Sequence, residues 1–245
     1  MVKTVDHDAR RKAVLSSAIN MYIREAEPVA SEDLSVEFDL SPATIRNIFA
    51  ELEEAGYLTH PHTSAGRMPT DKGYRYYVDF LLSQLELIEE EKARIFGAYE
   101  RGTETLDAVL EKTSDLLSEV THCAGIVSLL DLEDKFVYKG VRYIIEQPEF
   151  QDAVSIRFLI RLIEEKRRLL EIIRRHKGSK VAVYIGEELG CEGTENCAIL
   201  VSTYNVRERP VGRLAVLGPR RMEYGHTIPA LEYVSQVLSE VLNEI

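Results

Sequence analysis

Residues 41–77 read SPATIRNIFAELEEAGYLTHPHTSAGRMPTDKGYRYY, and the division of this stretch decides the fold of the N-terminal third. Ser41-Pro42 marks a helix start. A serine hydroxyl accepts an N–H of the first turn, and proline at the first helical position lacks only an N–H that would have no helical partner. Ile45, Ile48, Phe49, Leu52 and Ala55 recur at three- and four-residue intervals, the buried stripe of an amphipathic helix, and Gly56 ends it. Tyr57 to His60 reads as a short strand, Pro61 to Gly66 as a turn-rich loop, and Arg67-Met68-Pro69 as a second extended piece. Thr70 caps a new helix with Tyr74, Tyr77, Val78 and Leu81 on one side.

Two further helices precede this stretch. Val14, Leu15, Ala18, Ile19, Tyr22 and Ile23 predict an amphipathic helix from Asp8 to about Glu25, closed by Pro28. Ser31 is positioned to cap a short helix to about Glu37, with Leu34 and Phe38 inward, and Phe38-Asp39-Leu40 makes the turn. Three helices with a short turn before the third form a helix-turn-helix. A hairpin after the third helix makes it a winged helix, with the loop as wing.

That architecture assigns a role to a charge pattern that is otherwise out of place. The chain carries a formal net charge of −11, and residues 1–82 alone hold nine Lys/Arg against thirteen Asp/Glu. Phosphate binding therefore requires cations gathered on one face. Residues 60–77 supply Arg67, Lys72, Arg75 and two histidines against the single acid Asp71. On the third helix, Ser41, Ala43, Thr44, Arg46 and Asn47 lie near the start and away from the apolar stripe, where a recognition helix meets base edges. Arginine pairs bidentately with guanine, asparagine with adenine, and threonine contacts a base or the thymine methyl. In the wing, Gly66 leaves room for backbone N–H groups to approach phosphate. His62, Thr63 and Ser64 belong to the same loop, Thr63 and Ser64 adding hydroxyl donors, and Arg67 is placed to reach a minor groove. Lys72 and Arg75, on the first turns of the next helix, are placed for flanking phosphates. His60 and His62 are too close across a proline for a metal pair, and no metal or cofactor is expected.

Beyond residue 82 the expected organisation is a helical connector over 83–122, broken near Gly102, and an α+β domain over 123–245. GIVSLL (125–130) and FVYKG predict strands, residues 152–176 one long helix, and VAVYI (181–185), CAILVSTY (197–204) and VGRLAVL (211–217) further strands. A final helix runs from Thr227 to Ile245. In it Leu231, Val234, Leu238, Val241 and Ile245 form a heptad-like seam, a candidate dimer contact. The same stripe also suits packing on its own sheet, and the charged helices of 85–121 are a second candidate for self-association.

Composition removes several classes. No run approaches the roughly 18 apolar residues of a membrane span, and the N-terminus has no apolar core of a signal peptide, so a cytoplasmic protein is expected. Three cysteines make no disulfide framework. Cys191 and Cys197 sit among Glu187, Glu188, Glu192 and Glu195, which disfavour a reactive thiolate, so no enzyme is expected.

PATIRN (42–47), ELEEAGYL (51–58), HTSAGRMPTDKGYRYYVDFL (62–81), EQPEF (146–150), RPVGRLAVLGPRRMEY (209–224) and LEYVS (231–235) together resemble the HrcA family of heat-inducible transcription repressors. The resemblance implies a winged-helix DNA-binding domain followed by a GAF-like domain, here with a reduced sheet. It also implies a homodimer on double-stranded DNA at an inverted-repeat operator of chaperone operons, modulated by heat and the GroEL chaperonin. A winged-helix repressor of other genes, controlled by a small molecule in the GAF-like domain, is the alternative. The chain departs from the family pattern at Glu32-Asp33 and Ile48-Phe49. It is also about a hundred residues shorter than most members, with roughly 123–142 standing where part of the sheet and an inserted dimerisation domain are expected.

Overall fold

The computed structural model describes residues 2–61, 66–81, 86–99, 105–130, 136–176, 178 and 181–244. They divide into two units, Met1–Ser83 and Gln84–Ile245.

In the first unit, helices α1 (Val2–Glu25), α2 (Ser31–Glu37) and α3 (Pro42–Glu54) precede a hairpin of β1 (Leu58–Thr59) and β2 (Met68–Pro69), and α4 (Asp71–Leu81) follows. The predicted helix starts and stops hold at α3. Ser41 is its N-cap, with the Oγ accepting from Thr44 N at 3.1 Å, and Gly56, at φ +77°, follows its last turn. At α2 the cap differs from expectation. Asp33 accepts from the Ala30 N–H at 2.8 Å, while the Ser31 hydroxyl turns to Glu32. Val14, Leu15, Ile19, Leu34, Ile45, Ile48, Phe49, Leu52, Tyr74 and Val78 are all buried and form the core. One element was absent from the sequence reading. Val29 pairs antiparallel with Arg67 through two backbone hydrogen bonds of 2.9 and 2.8 Å, adding a third extended segment to the hairpin.

The second unit is an antiparallel five-stranded sheet in the order β4-β3-β7-β6-β5. The strands are β3 (Ala124–Leu129), β4 (Phe136–Lys139), β5 (Ala182–Ile185), β6 (Cys197–Val206) and β7 (Arg209–Pro219). β6 and β7 close through Arg207 and Glu208, both at positive φ, a tight hairpin turn. Helices α5 (Glu89–Tyr99), α6 (Leu106–Thr121) and α10 (Tyr224–Glu244) contact one another, and α6 and α10 lie on the sheet; α7 (Val141–Ile145), α8 (Ala153–Glu164) and α9 (Lys166–Arg174) complete the unit. One core joins Ile126, Ile199, Val201, Ala215 and Leu217 of the strands to Leu159, Leu162, Leu169 and Ile173 of α8 and α9.

Three expectations change here. Residues 89–99 and 106–121, read as connector, are helices of the second unit. Val109, Leu110, Leu117 and Val120 bury one face of α6, leaving Asp107, Glu111, Asp115 and Glu119 exposed. The exposed charge masked a sheet-packing helix. The single helix expected over 152–176 breaks at Glu165, where ψ turns to 61° between α8 and α9. The candidate dimer seam on α10 is spent within the chain. Leu231, Val234 and Leu238 are fully buried, α10 packs on β6, and the Ser235 hydroxyl donates to Thr203 O at 2.8 Å. Val241 is half-buried, and Ile245 lies outside the described residues.

Candidate nucleic-acid interface

The outer face of α3 is composed as expected. Ile45, Ile48, Phe49 and Leu52 are buried, while Ser41, Ala43, Arg46 and Asn47 are exposed and Thr44 is half-buried. The Ser41 and Thr44 hydroxyls are 2.8 Å apart, so each engages the other and the helix cap before any ligand. Arg46 Nη1 lies 3.7 Å from Glu32 Oε1, with the two side chains 63% and 61% exposed. That contact is loose. Hydrogen bonds from the Glu32 backbone N–H and the Ser31 hydroxyl hold the Glu32 carboxyl below the ordinary range, and Arg46 adds to them.

The wing residues are placed differently from expectation, and His62, Thr63 and Ser64 lie outside the described residues. Gly66 is packed against protein backbone. A Cβ there would meet Val29 O at 2.5 Å and Pro28 O at 2.6 Å. Its missing side chain lets the Val29 segment pair with the hairpin, which corrects the expectation of an opening for phosphate. Arg67 is only 22% exposed, and its Nε lies 2.9 Å from Glu53 Oε2, a close ion pair rather than an aligned hydrogen bond. His60 Nδ1 contacts the other oxygen of the same carboxylate. Glu53, on the last turn of α3, thus grips both stems of the wing: His60 before the loop and Arg67 after it. This places Arg67 in the wing's anchor rather than reaching outward to a minor groove.

Lys72 is exposed but folds back on the protein surface. Its Nζ donates to Ala55 O at 2.8 Å, completing the C-terminal end of α3, and stands 4.5 Å from the centre of the Tyr57 ring. Arg75 Nη1 is 3.7 Å from Asp79. Arg67 and Lys72 therefore first join the hairpin and α4 to the end of α3, while the Arg75–Asp79 contact lies within α4. Tyr74 and Tyr77 are buried, as expected of packing residues. The Glu53 clasp was missed because its members lie up to fourteen positions apart and meet only once the hairpin forms.

Burial pushes the thiols of Cys123 and Cys197 up to about 12, and Cys191 is half-buried. Among the described residues no cluster of His, Cys, Asp and Glu could hold a metal, and no helix is long and apolar enough to cross a membrane.

Comparison with known proteins agrees with this geometry. The family described as DeoR-like helix-turn-helix domain matches residues 16–69, and the HrcA protein C terminal domain matches 128–228. The heat-inducible transcription repressor HrcA of Geobacter sulfurreducens is 30% identical, over 97% of this chain and 98% of its own length. The chain belongs to the HrcA family. The HrcA of Pelotomaculum thermopropionicum is 29% identical over 97% of both chains. A crystal structure of a hypothetical protein shares the fold with a TM-score of 0.78, at 20% identity, covering 96% of this chain and 98% of that one. The alignment to the Geobacter HrcA spans 337 positions against the 245 residues here, so that relative carries segments with no counterpart in this chain.

Proposed function

We propose that this HrcA-family protein represses chaperone operons by occupying an inverted-repeat operator as a cytoplasmic dimer, excluding polymerase, with its active population set by heat and a GroEL-type chaperonin. The observation that carries the DNA-reading part is the exposed face of α3, where Ala43, Thr44, Arg46 and Asn47 stand outward beside an anchored wing. In this reading Arg46 takes a guanine edge and Asn47 an adenine edge. Releasing Arg46 from Glu32 costs little, because both side chains are mostly exposed and solvent screens the pair. His62, Thr63 and Ser64 at the wing, with Lys72 and Arg75 released from their internal contacts, would supply backbone contacts.

The thermal arm works by mass action. Heat depletes the folded repressor and chaperonin replenishes it, with no dedicated ligand site. Protein bound to an operator fragment should lose binding after mild heating and recover it on incubation with chaperonin and ATP. Full retention through the heat-shock range, without chaperonin, refutes the thermal arm.

A further inference from the structure

Cations gather on one part of the second unit. Residues 157–175 hold seven Lys/Arg against three Asp/Glu, a charge of +4, while the rest of the chain carries −15. Leu159, Leu162, Leu169 and Ile173 turn into the core, leaving Arg157, Arg161, Lys166, Arg167, Arg168 and Arg175 exposed on α8 and α9. Glu165, at the break between the helices, joins the two runs. Arg161 Nε lies 2.7 Å and Arg168 Nη1 3.3 Å from its carboxylate oxygens. Arg157 is one turn before Arg161 and Arg175 two turns beyond Arg168, so the cations form one patch across both helices. Glu164 and Glu171 are the other acids here, both exposed. Arg175 donates to the Glu188 and Leu189 carbonyls at 3.2 Å, whereas Arg157, Lys166 and Arg167 have no ion-pair partner among the described residues.

Sequence-indifferent affinity for duplex DNA comes from cations that replace the counterions of phosphates. In the first unit Arg67 is paired with Glu53 and Lys72 donates to Ala55 O, so each must leave a partner before meeting a phosphate. Arg157, Lys166 and Arg167 have none to leave. Duplex DNA presents one charge per roughly 1.7 Å of axis, and Arg168 to Arg175 alone span about 10 Å, so the patch meets several phosphates. We propose that the outer face of α8 and α9 is a second, sequence-indifferent contact with the phosphate backbone of duplex DNA. It rests on the DNA-binding reading above and adds backbone affinity without reading bases. The competing occupant is an acidic protein face, such as the Asp107, Glu111, Asp115 and Glu119 side of α6 on a second copy. Centres of protein interfaces are depleted of charge, and α9 exposes no large apolar side chain to form one, so the patch suits phosphate.

The test is the salt dependence of full-chain binding to an operator fragment and to a random duplex of equal length. Arg157→Ala/Lys166→Ala/Arg167→Ala removes only exposed, unpaired side chains. It should weaken both duplexes alike, about tenfold or more at about 0.1 M salt, and flatten the slope of log affinity against log salt by about two to three. Arg157→Lys/Lys166→Arg/Arg167→Lys keeps the charges and should keep the slope. Arg94→Ala/Lys139→Ala/Arg142→Ala changes the net charge equally elsewhere on the second unit and should move the slope by less than about one-half. The operator-to-random ratio separates this contact from base reading: it holds in the patch variant and falls in Arg46→Ala. An unchanged slope in the patch variant of a parent that binds DNA overturns this proposal alone, while a parent that binds neither duplex overturns the DNA-binding reading with it. Reduced self-association in sedimentation, with the DNA slope unchanged, would assign the patch to the acidic face of a second copy and likewise overturn it.

Discussion

Replacing Gly66 by alanine separates two uses of that glycine. The added Cβ falls 2.5 and 2.6 Å from the carbonyl oxygens of Val29 and Pro28, where ordinary contact begins near 3.4 Å. Relief requires the two segments to part by roughly 0.8 Å. That takes the Val29–Arg67 hydrogen bonds, now 2.9 and 2.8 Å, beyond bonding distance. Two lost bonds at about 1 kcal/mol each, with residual crowding of about 1 kcal/mol or more, give a destabilisation of roughly 2–4 kcal/mol. For a unit of this size the midpoint should fall by about 8 °C or more. The assay is thermal unfolding of the full chain followed by circular dichroism, reading the transition of the first unit. A midpoint within about 2 °C of the parent would refute the packing argument. A glycine retained for phosphate approach would instead leave melting unchanged and weaken DNA binding.

Other outcomes follow from the same geometry. Arg46→Ala should cost roughly 1–3 kcal/mol on operator DNA and relax discrimination at one base pair, with little change on random DNA, measured by fluorescence anisotropy. Glu53→Gln removes the charge that holds both wing stems and should cost about 1–2 kcal/mol of stability by urea titration; unchanged stability would mean the clasp holds nothing. At pH 8 the native chain should label at Cys191 alone with a thiol reagent. Burial raises Cys123 and Cys197 to about 12 and leaves only roughly one part in ten thousand as thiolate. Equal labelling of all three, read by peptide mass, would contradict the packing of the sheet.

The sequence disclosed what local chemistry determines and missed what chain crossing determines. The α3 boundaries and its exposed face were legible because a Ser-Pro start, a three-four apolar stripe and a terminal glycine act over a few residues. The Val29 pairing was not, since a single bridged residue between two helices leaves no periodicity. Arg67 and Lys72 read as outward cations because charge at a loop end or on a first helical turn usually meets solvent. Their partners, Glu53 and the Ala55 carbonyl, are supplied by the end of another element. On α10 the spacing of Leu231, Val234 and Leu238 suits a coiled-coil seam and a sheet-packing face alike, and only contacts with β6 distinguish them. The break at Glu165 falls in a Glu-Glu-Lys run that favours helix, so no local signal marked it.

The central claim is that α3 and its wing read a specific DNA sequence. The most direct measurement is titration of the purified chain on an inverted-repeat fragment and on a scrambled duplex of equal length, over a salt series. The account predicts operator binding at least about a thousandfold tighter at physiological salt, with affinity for both duplexes falling as salt rises. Equal affinity for the two duplexes at every salt concentration would contradict it.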